Sequence, residues 1–335
     1  MNSKHTFGID LGTNNLKIYS RLNEKIFIEK NIIAIKNKDT LFAYGDSAYD
    51  MFEKAPENIK ITFPLINGVI ADINNMRILL ANFIQIITKG VIKPAEYYIS
   101  IPTDITEVEK RAFYDLIKDS NIKAKKIYLM DKAIANGIGL DIDVKNSQGV
   151  LIVDVGYNTT EISILSLGGI VLSKLIKTGG QKFDESISSV IRKQFNILIG
   201  NHTAENLKIT LSSTESMNEM ETVYGRDLVT GLPVEKKIST EIVNQALEYN
   251  YNVIIDNIKV ILERTPPELA ADIYRRGVYL TGGASQTTNL AELISQSTGL
   301  TVNTTENPIE TVAVGLAKAI KDPSYKSILY SNDKK

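Results

Sequence analysis

Two short stretches of this chain share one pattern and decide its fold. They are Gly8-Ile9-Asp10-Leu11-Gly12-Thr13-Asn14-Asn15 and Val153-Asp154-Val155-Gly156-Tyr157-Asn158-Thr159-Thr160. Each runs from an apolar strand through an aspartate and a glycine into a polar turn, and a second apolar strand follows. A third apolar run ends in the glycine turn Thr281-Gly282-Gly283-Ala284. Two such turns about half a chain apart indicate a duplicated domain.

The residue types in these turns suit phosphate binding. A strand that ends in glycine lets a phosphate approach the backbone closely, where free N–H groups donate to its oxygens. A carboxylate just before the turn, as at Asp10 and Asp154, lies where Mg²⁺ or its water shell is expected. Thr13 and Thr159 add hydroxyl donors. The three turns predict a nucleotide held between two similar halves, and three ordinary hairpin turns are the alternative interpretation.

Composition limits the class of protein. With 335 residues, 43% of them hydrophobic and 23% charged, the chain is long enough for two globular domains. Its net charge of −1 provides no field that attracts nucleic acid. The lack of cysteine excludes disulfides and thiolate metal sites, and two histidines argue against a histidine metal site. No signal peptide or long apolar run is apparent, so we expect a cytoplasmic protein.

The order of predicted elements repeats once along the chain. A four-strand meander over 7–35, helix, strand and helix are followed by a second such series from residue 149. Thr106-Glu107-Val108-Glu109 is a capping box that predicts a helix reaching about Ser120. The fold class predicted is therefore α/β, with two duplicated α/β domains around a nucleotide cleft. The expected limits are 1–143 with an insertion at about 32–72, 144–321 with an insertion at about 180–242, a last helix over about 308–321 packing back on the first domain, and a flexible tail over 322–335.

Four further stretches resemble one family. Ile105–Ala112, Ser166–Val171, Thr203–Ile209 and Gly225–Pro233 resemble the segments ITEVERRA, SLGGIV, TAEEIKI and GRDLVTGLP of MreB, the bacterial actin. The resemblance runs from about residue 7 to 320, and it implies the actin/Hsp70/sugar-kinase ATPase fold. The chain has no cysteine or tryptophan, and its residue usage is that of an AT-rich genome. In this composition it resembles a divergent paralogue of the family from a wall-less mollicute.

The resemblance also implies roles for individual residues, with ATP or ADP and Mg²⁺ as cofactors. Asp10 and Asp154 would face Mg²⁺ through water. Glu205 and Lys208 lie three apart on a helix and would touch the nucleoside, although a solvated helix ion pair is the alternative. The other implied nucleotide-binding residues are Gly12, Thr13, Asn14, Gly156, Tyr157, Asn158, Thr159, Gly180, Gly282, Gly283 and Ala284.

The segment around Lys132 departs from the family. Lys132 stands where the family has the glutamate that orients the attacking water, and an ammonium group only donates hydrogen bonds. Asp131 is a neighbouring carboxylate, but adjacent helix residues point about 100° apart. Lys132, Asp131 and Thr159 are thus the candidate catalytic residues, and we predict slow ATP hydrolysis. A Lys132 side chain that merely extends into solvent is the alternative.

Two other local features lead to structural expectations. Gly156-Tyr157-Asn158 replaces three glycines of the family, and a tyrosine with positive φ would be uncommon, so the second turn is expected to differ in shape. The small residues Ala133, Ala135, Gly137 and Gly139 predict a helix that crosses a neighbour closely and serves as a pivot between the domains, with ordinary tight core packing as the alternative.

The predicted function is that of an ATP-binding, MreB-like filament protein for cell shape or motility. Identical subunits joined head to tail form open filaments. The resemblance implies paired protofilaments, other MreB paralogues as partners, and contact with the inner membrane face. Thr88–Pro94 is the candidate membrane loop, since residues 1–6 are too short for an amphipathic helix. A nucleotide-gated, non-polymerising binding module and a small-molecule kinase of the same fold are the alternatives.

Overall fold

The computed structural model describes residues 5–212 and 219–331, which form two compact units. One unit comprises the chain up to Ile152, Ser163–Leu175 and the segment from Ile309, and the other comprises Val153–Ile162 and Ile176–Pro308. The strands are β1 (Thr6–Leu11), β2 (Asn15–Ser20), β3 (Lys25–Lys30), β4 (Ile33–Lys36), β5 (Thr40–Tyr44), β6 (Ile59–Thr62), β7 (Leu65–Ile66), β8 (Val69–Ile70), β9 (Ala95–Ile101), β10 (Ala124–Asp131), β11 (Val150–Val155), β12 (Thr160–Ser166), β13 (Gly169–Ile176), β14 (Ile197–Leu198), β15 (Met220–Asp227), β16 (Pro233–Ser239), β17 (Val278–Thr281) and β18 (Val302–Asn303). The helices are α1 (Asp46–Tyr49), α2 (Ile73–Ile87), α3 (Glu107–Lys118), α4 (Lys132–Gly139), α5 (Gly180–Phe195), α6 (Asn201–Leu211), α7 (Thr240–Glu263), α8 (Pro267–Arg276), α9 (Thr288–Thr298) and α10 (Thr311–Lys321).

The first unit is built on a sheet of order β10-β9-β1-β2-β3. Strands β1, β2 and β3 form an antiparallel meander, and β9 and β10 run parallel to β1. The fourth predicted meander strand, β4, instead pairs with β5 and β6 in a separate sheet. The side chains of this segment alternate between two cores, which suits a strand outside the main sheet. Ile33 and Ile35 face the main core, and Ile32 and Ala34 are buried in a small cluster with Ala48.

Two helices of this unit form as their sequences predict. Helix α2 buries the apolar positions that recur at helical spacing, among them Met76, Leu80 and Phe83. Helix α3 begins with the predicted capping box: Thr106 Oγ1 accepts the Glu109 N–H at 3.2 Å, and Glu109 Oε2 accepts the Thr106 N–H at 2.7 Å. Both local predictions are therefore confirmed.

Helices α4 and α10 cross at backbone contact. A β-carbon at Gly139 would lie 1.9 Å from the Thr311 carbonyl oxygen, and one at Gly315 would lie 1.8 Å from the Ala135 carbonyl oxygen. Thr311 Oγ1 also donates to Asn136 Oδ1 at 2.8 Å. The close crossing predicted from the small residues of α4 is present, and its use as a pivot stays a prediction.

The segment after α10 lies along the edge strand β10. A 3₁₀ helix spans Pro323–Ile328, and Tyr330 then forms an antiparallel bridge with Leu129 through two N–H···O bonds of 2.9 Å. An edge strand has unpaired backbone groups, and this segment satisfies some of them. Tyr330 is thus paired with β10, the flexibility predicted for 322–335 stays a prediction, and residues 332–335 of that tail lie outside the described chain.

The second large sheet has the order β13-β12-β11-β17-β18, and β11 and β12 pass from one unit into the other. Strands β14, β15 and β16 form a small antiparallel sheet in the second unit. The GRDLVTGLP stretch is the β15–β16 turn, in which Asp227 Oδ1 accepts the N–H groups of Val229 and Thr230 at 2.8 Å. Gly231 completes the turn with φ +72°.

None of the helices in residues 5–212 and 219–331 has the length and apolar character needed to span a bilayer. In the candidate membrane loop, Val91 is 60% exposed, whereas Ile92 packs against the core of the first unit. Only one of the two apolar residues of that loop therefore faces outward. Of the N-terminal residues 1–6, the first four lie outside the described chain.

Candidate nucleotide site

Asp10 is buried at the end of β1, between two polar side chains on the neighbouring strands. The sheet register places Lys17 of β2 and Ser100 of β9 directly opposite it. Lys17 Nζ donates to Asp10 Oδ2 at 2.7 Å, and Ser100 Oγ donates to Asp10 Oδ1 at 3.0 Å. The Lys17 and Asp10 side chains are only 10% and 3% exposed, so this is a buried ion pair.

The charge around Asp10 includes a second cation. Burial opposes ionisation of Asp10, but the charges of Lys17 and Lys132 and the hydrogen bonds from Lys17 and Ser100 outweigh it and lower its pKa. Lys132 opens α4, immediately after β10. Its positive charge therefore favours the ionised form of the aspartate of the first turn.

Asn31 stabilises the first turn through two hydrogen bonds. Asn31 Nδ2 donates to the Gly12 carbonyl at 2.8 Å, and the Asn31 N–H donates to the Asn14 carbonyl at 2.9 Å. Thr13 and Asn14 form the bend itself. A β-carbon at Gly12 would lie 2.5 Å from the Asn15 carbonyl oxygen, so the bend requires glycine at this position.

The second turn docks on the start of α5. Its carbonyl groups at Gly156 and Tyr157 accept the N–H groups of Gly180 and Gln181 at 3.0 and 2.8 Å. Thr159 closes the turn, because its carbonyl accepts the Gly156 N–H at 2.9 Å. Asn158 Nδ2 contacts Gln181 Oε1. These bonds fix the turn against the N-terminus of a 16-residue helix.

The backbone of the second turn needs no left-handed residue. Tyr157 and Asn158 both have negative φ, so the strain considered for a tyrosine at this position does not arise. The Tyr157 ring lies beside Gly180, since a β-carbon there would be 3.5 Å from Tyr157 Cδ2. The tyrosine thus packs over the start of α5.

Gly180, at the start of α5, lies next to the second turn, the third turn and α6. A β-carbon at Gly180 would lie 3.3 Å from Lys208 Nζ and 3.5 Å from Ala284 Cβ. In the third turn, Gly282 has φ +90°, its N–H donates to the Pro308 carbonyl at 3.0 Å, and Gly283 opens a 3₁₀ turn. The sequence-predicted residues of the second unit therefore converge on one place.

Asp154 and Gly282 are in close contact. A β-carbon at Gly282 would lie 2.3 Å from Asp154 Oδ1 and 2.4 Å from the Val155 carbonyl oxygen. Only glycine suits this position, for reasons of both space and φ. The third turn thus packs directly on the aspartate of the second.

Lys208 is buried in an ion pair with Asp184. Lys208 Nζ lies 2.8 Å from Asp184 Oδ1 and donates to the Gly180 carbonyl at 3.3 Å. Burial raises the pKa of Asp184 to about 6, against the opposing charge and hydrogen bond of Lys208. Lys208 is therefore not the solvated helix residue of the alternative interpretation, while Glu205 is half-buried one turn earlier.

Asp131 points to the C-terminal segment. Its Oδ2 accepts a hydrogen bond of 3.0 Å from the Tyr330 hydroxyl, and Lys110 Nζ lies 3.6 Å from the centre of the Tyr330 ring. Burial raises the pKa of Asp131, and Tyr330 and Lys110 oppose that rise. The carboxylate next to Lys132 thus has a structural partner of its own.

The residues around Asp10 are a poor fit for a divalent cation bound directly to its carboxylate. Each carboxylate oxygen already accepts a hydrogen bond, and a cation there would lie beside the Lys17 ammonium. Within the described residues, no group of three or more His, Cys, Asp or Glu side chains could hold a metal. Direct coordination of Mg²⁺ by Asp10 is therefore disfavoured, and the expected contact through water stays a prediction, since each carboxylate oxygen can accept a second hydrogen bond.

Three residues of these clusters were missed by sequence reasoning. Lys17 follows from the β1–β2 hairpin, because the pairing of Leu11 with Leu16 sets Asp10 opposite Lys17. Ser100 and Asp184 give no local signal, since their partners lie far away along the chain.

Two α/β sheets with an aspartate–glycine turn in each unit, and smaller sheets beside them, define an actin-like fold. The chain belongs to the MreB/Mbl family, whose model, described as MreB/Mbl protein, matches residues 4–327. It is 36% identical over 312 residues to the cell shape-determining protein Mbl of Bacillus subtilis (strain 168), covering 92% of this chain and 93% of Mbl. It is 33% identical over 323 residues to the cell shape-determining protein MreB of Escherichia coli (strain K12), covering 93% and 92% of the two chains.

Solved structures agree with this assignment. The crystal structure of MreB5 of Spiroplasma citri bound to ADP has a TM-score of 0.91 and 33% identity, covering 98% of this chain and 99% of MreB5. The same protein bound to AMPPNP gives a TM-score of 0.92. The MamK double helical filament, at 22% identity, has a TM-score of 0.80 over 96% of this chain and 99% of MamK, and supports the fold alone. Family and fold are those predicted from the phosphate turns and the four family-like stretches.

Proposed function

We propose that the chain binds ATP and ADP through its phosphate turns and assembles head to tail into filaments that serve cell shape or motility. The observation that carries the proposal is the pair of aspartate–glycine turns, one in each unit, with a third glycine turn packed on the second. Structures of MreB5 with ADP and AMPPNP, at 33% identity, support it.

The turns supply the donors that phosphates require. Backbone N–H groups beside Gly12 and Gly156 would bind phosphate oxygens, and Lys17 adds a fixed positive charge beneath the first turn. Gly282, Gly283 and Ala284, together with Glu205 and Lys208, would contact the nucleoside. Asp184 holds Lys208 in place for that contact.

Hydrolysis in this proposal is slow. The attacking water needs an acceptor to orient it, and Lys132 supplies only donors. Asp131, the adjacent carboxylate, accepts a hydrogen bond from Tyr330. A missing acid–base group typically costs about 10²–10⁴ in rate, which sets the scale of the impairment.

Assembly follows from membership in a family whose named members determine cell shape. Non-closing contacts between identical subunits give open filaments. The proposal places these filaments in the cytoplasm as paired protofilaments, with other MreB paralogues and the inner membrane face as further contacts. Val91 is the exposed apolar residue of the proposed membrane loop.

Nucleotide binding and high-speed pelleting, measured on one sample, test the proposal. We expect a fluorescent ATP analogue to bind and the protein to sediment with AMPPNP more than without nucleotide. Binding without sedimentation under any condition would instead support the nucleotide-gated module. Consumption of ATP only when a sugar is added would support a kinase. No binding at all would contradict all three functions.

A further inference from the structure

Lys208 and Asp184 form a buried ion pair where the second and third turns meet α5 and α6. The Lys208 Nζ atom lies 2.8 Å from Asp184 Oδ1, and the two side chains are only 9% and 5% exposed. A β-carbon at Gly180 would lie 3.3 Å from that Nζ atom, 3.5 Å from Tyr157 Cδ2 and 3.5 Å from Ala284 Cβ. The ammonium therefore lies where the two turns of the second unit converge.

The Lys208 ammonium keeps one hydrogen-bond donor for a ligand. A lysine ammonium has three N–H donors and no acceptor. Within the described part of the chain, the acceptors beside Nζ are the Gly180 carbonyl, at 3.3 Å, and Asp184 Oδ1. These two acceptors use at most two of the three donors. The third is available next to the second and third turns.

Asp184 cancels the charge of this donor. Burial raises the pKa of Asp184 to about 6, so its carboxylate is mainly ionised at pH 7.5 and balances the ammonium. Glu205, one turn before Lys208 on α6, adds a further negative charge near Asp184. The N–H groups of Gly180 and Gln181, at the start of α5, already donate to carbonyl groups of the second turn. A phosphate would thus find neither uncompensated lysine charge nor these two backbone donors here.

We propose that Asp184 makes this end of the nucleotide site selective for an uncharged group, the ribose or the base, and unfavourable for a phosphate. A lone buried ammonium would attract polyphosphate strongly, because Coulomb energies rise as the dielectric constant falls. Next to a carboxylate, the same ammonium serves as a hydrogen-bond donor, and the carboxylate repels an anion. Specificity of this kind comes from a repulsive element built against the wrong ligand group.

The consequence is that a nucleotide binds in one orientation and is preferred over a free polyphosphate. This inference rests on the proposed nucleotide binding and adds to it the residue that decides which end of the ligand lies beside Lys208. Asp184 is in this respect a specificity-determining residue that acts through Lys208.

The test compares ATP with inorganic tripolyphosphate, which has three linked phosphates but no nucleoside. Each ligand displaces a fluorescent ATP analogue at pH 7.5 in the presence of Mg²⁺. For wild type we expect the dissociation constant of tripolyphosphate to exceed that of ATP by at least about 100-fold. Asp184→Asn should lower this ratio at least about tenfold, because the ammonium becomes an uncompensated charge. The change must include tighter binding of tripolyphosphate, which a merely damaged site would not give.

Three variants separate charge from packing. Asp184→Glu keeps the carboxylate and should retain the wild-type ratio. Asp184→Asn combined with Lys208→Met removes both charges and should bind tripolyphosphate no more tightly than wild type does. Glu248→Gln neutralises an exposed carboxylate of α7 and should leave the ratio unchanged. Asp184→Ser, a smaller neutral replacement, takes the place of Asp184→Asn if that variant does not fold.

The outcomes distinguish this inference from the proposed function. Tripolyphosphate binding that is unchanged or weaker in the neutral Asp184 variant would overturn the inference and leave nucleotide binding intact. A wild type that binds tripolyphosphate as tightly as ATP would overturn it as well, without any variant. If wild type binds neither ligand, the proposed function fails and this inference with it.

Discussion

The Tyr330 hydroxyl donates a hydrogen bond of 3.0 Å to Asp131 Oδ2, one residue before Lys132. Residue 330 reaches this position because its backbone pairs with Leu129 on the edge strand β10. The C-terminal segment thus engages the only carboxylate adjacent in sequence to the lysine that replaces the family's glutamate.

Asp131→Asn tests whether that carboxylate is structural. We expect phosphate release within about twofold of wild type and a melting temperature lower by a few degrees, because a charge-assisted hydrogen bond is lost. Tyr330→Phe, which removes the donor, should show the same pair of results. A tenfold or larger fall in phosphate release for Asp131→Asn would mean that Asp131 positions the water.

Gly282→Ala is expected to disrupt the third turn. The new β-carbon would lie 2.3 Å from Asp154 Oδ1, in addition to the strain of φ +90°. Gly231→Ala is the matched control, because Gly231 has φ +72° in the same unit but no atom within 4 Å of its β-carbon. Nucleotide affinity should fall at least tenfold for Gly282→Ala and remain unchanged for Gly231→Ala. Equal affinities of the two variants would contradict the role given to this turn.

Gly315→Ala tests the α4–α10 crossing. In an ordinary helix this change stabilises by about 1 kcal/mol. Here the β-carbon would lie 1.8 Å from the Ala135 carbonyl, so we expect destabilisation of about 2–4 kcal/mol in urea unfolding. Ala317→Gly, at a half-buried position of the same helix, should cost only the propensity term of about 1 kcal/mol. A Gly315→Ala variant as stable as wild type would show that the helices can separate freely.

The raised pKa of Asp184 predicts that the free energy of unfolding depends on pH. Burial raises its pKa from 3.8 to about 6 in the folded protein, so the folded state binds this proton more tightly than the unfolded state. Its contribution to the free energy of unfolding is therefore complete below about pH 4 and is lost as pH rises through about 6. The expected size is on the order of 2–3 kcal/mol.

The measurement is the urea midpoint of wild type and Asp184→Asn from pH 4 to pH 7. Wild type should gain stability relative to the variant as pH falls through this window. Glu248→Gln, a change at an exposed carboxylate of α7, should keep the wild-type dependence. Parallel curves for wild type and Asp184→Asn would contradict the raised pKa.

Features set by local sequence were predictable. The capping box at Thr106 and the apolar face of α2 depend on residues three or four apart, and both are present as predicted. The glycine turns after β1, β11 and β17 were predictable for the same reason, and their binding of phosphate stays a prediction. Helix α8 is not among the predicted elements, although Pro267 stands at its start, where proline is favoured.

Features set by distant contacts were not predictable. Ser100 meets Asp10 across 90 residues, and Tyr330 meets Asp131 across 199. Asp184 forms its ion pair with Lys208 only because α5 and α6 pack together and bury both side chains. A single sequence contains no signal for such pairings, so the buried Asp184–Lys208 ion pair depended on the structure, whereas the Asp10–Lys17 pair lies within one hairpin.

The most direct test of the central claim measures phosphate release and high-speed pelleting in the same tubes, for wild type and Lys132→Glu with ATP. A nucleotide-binding filament protein whose hydrolysis is impaired at Lys132 should pellet with little phosphate release. The substitution should raise that release at least tenfold, because it restores an acceptor for the attacking water. Brisk release by wild type, or no gain in Lys132→Glu, would contradict the account.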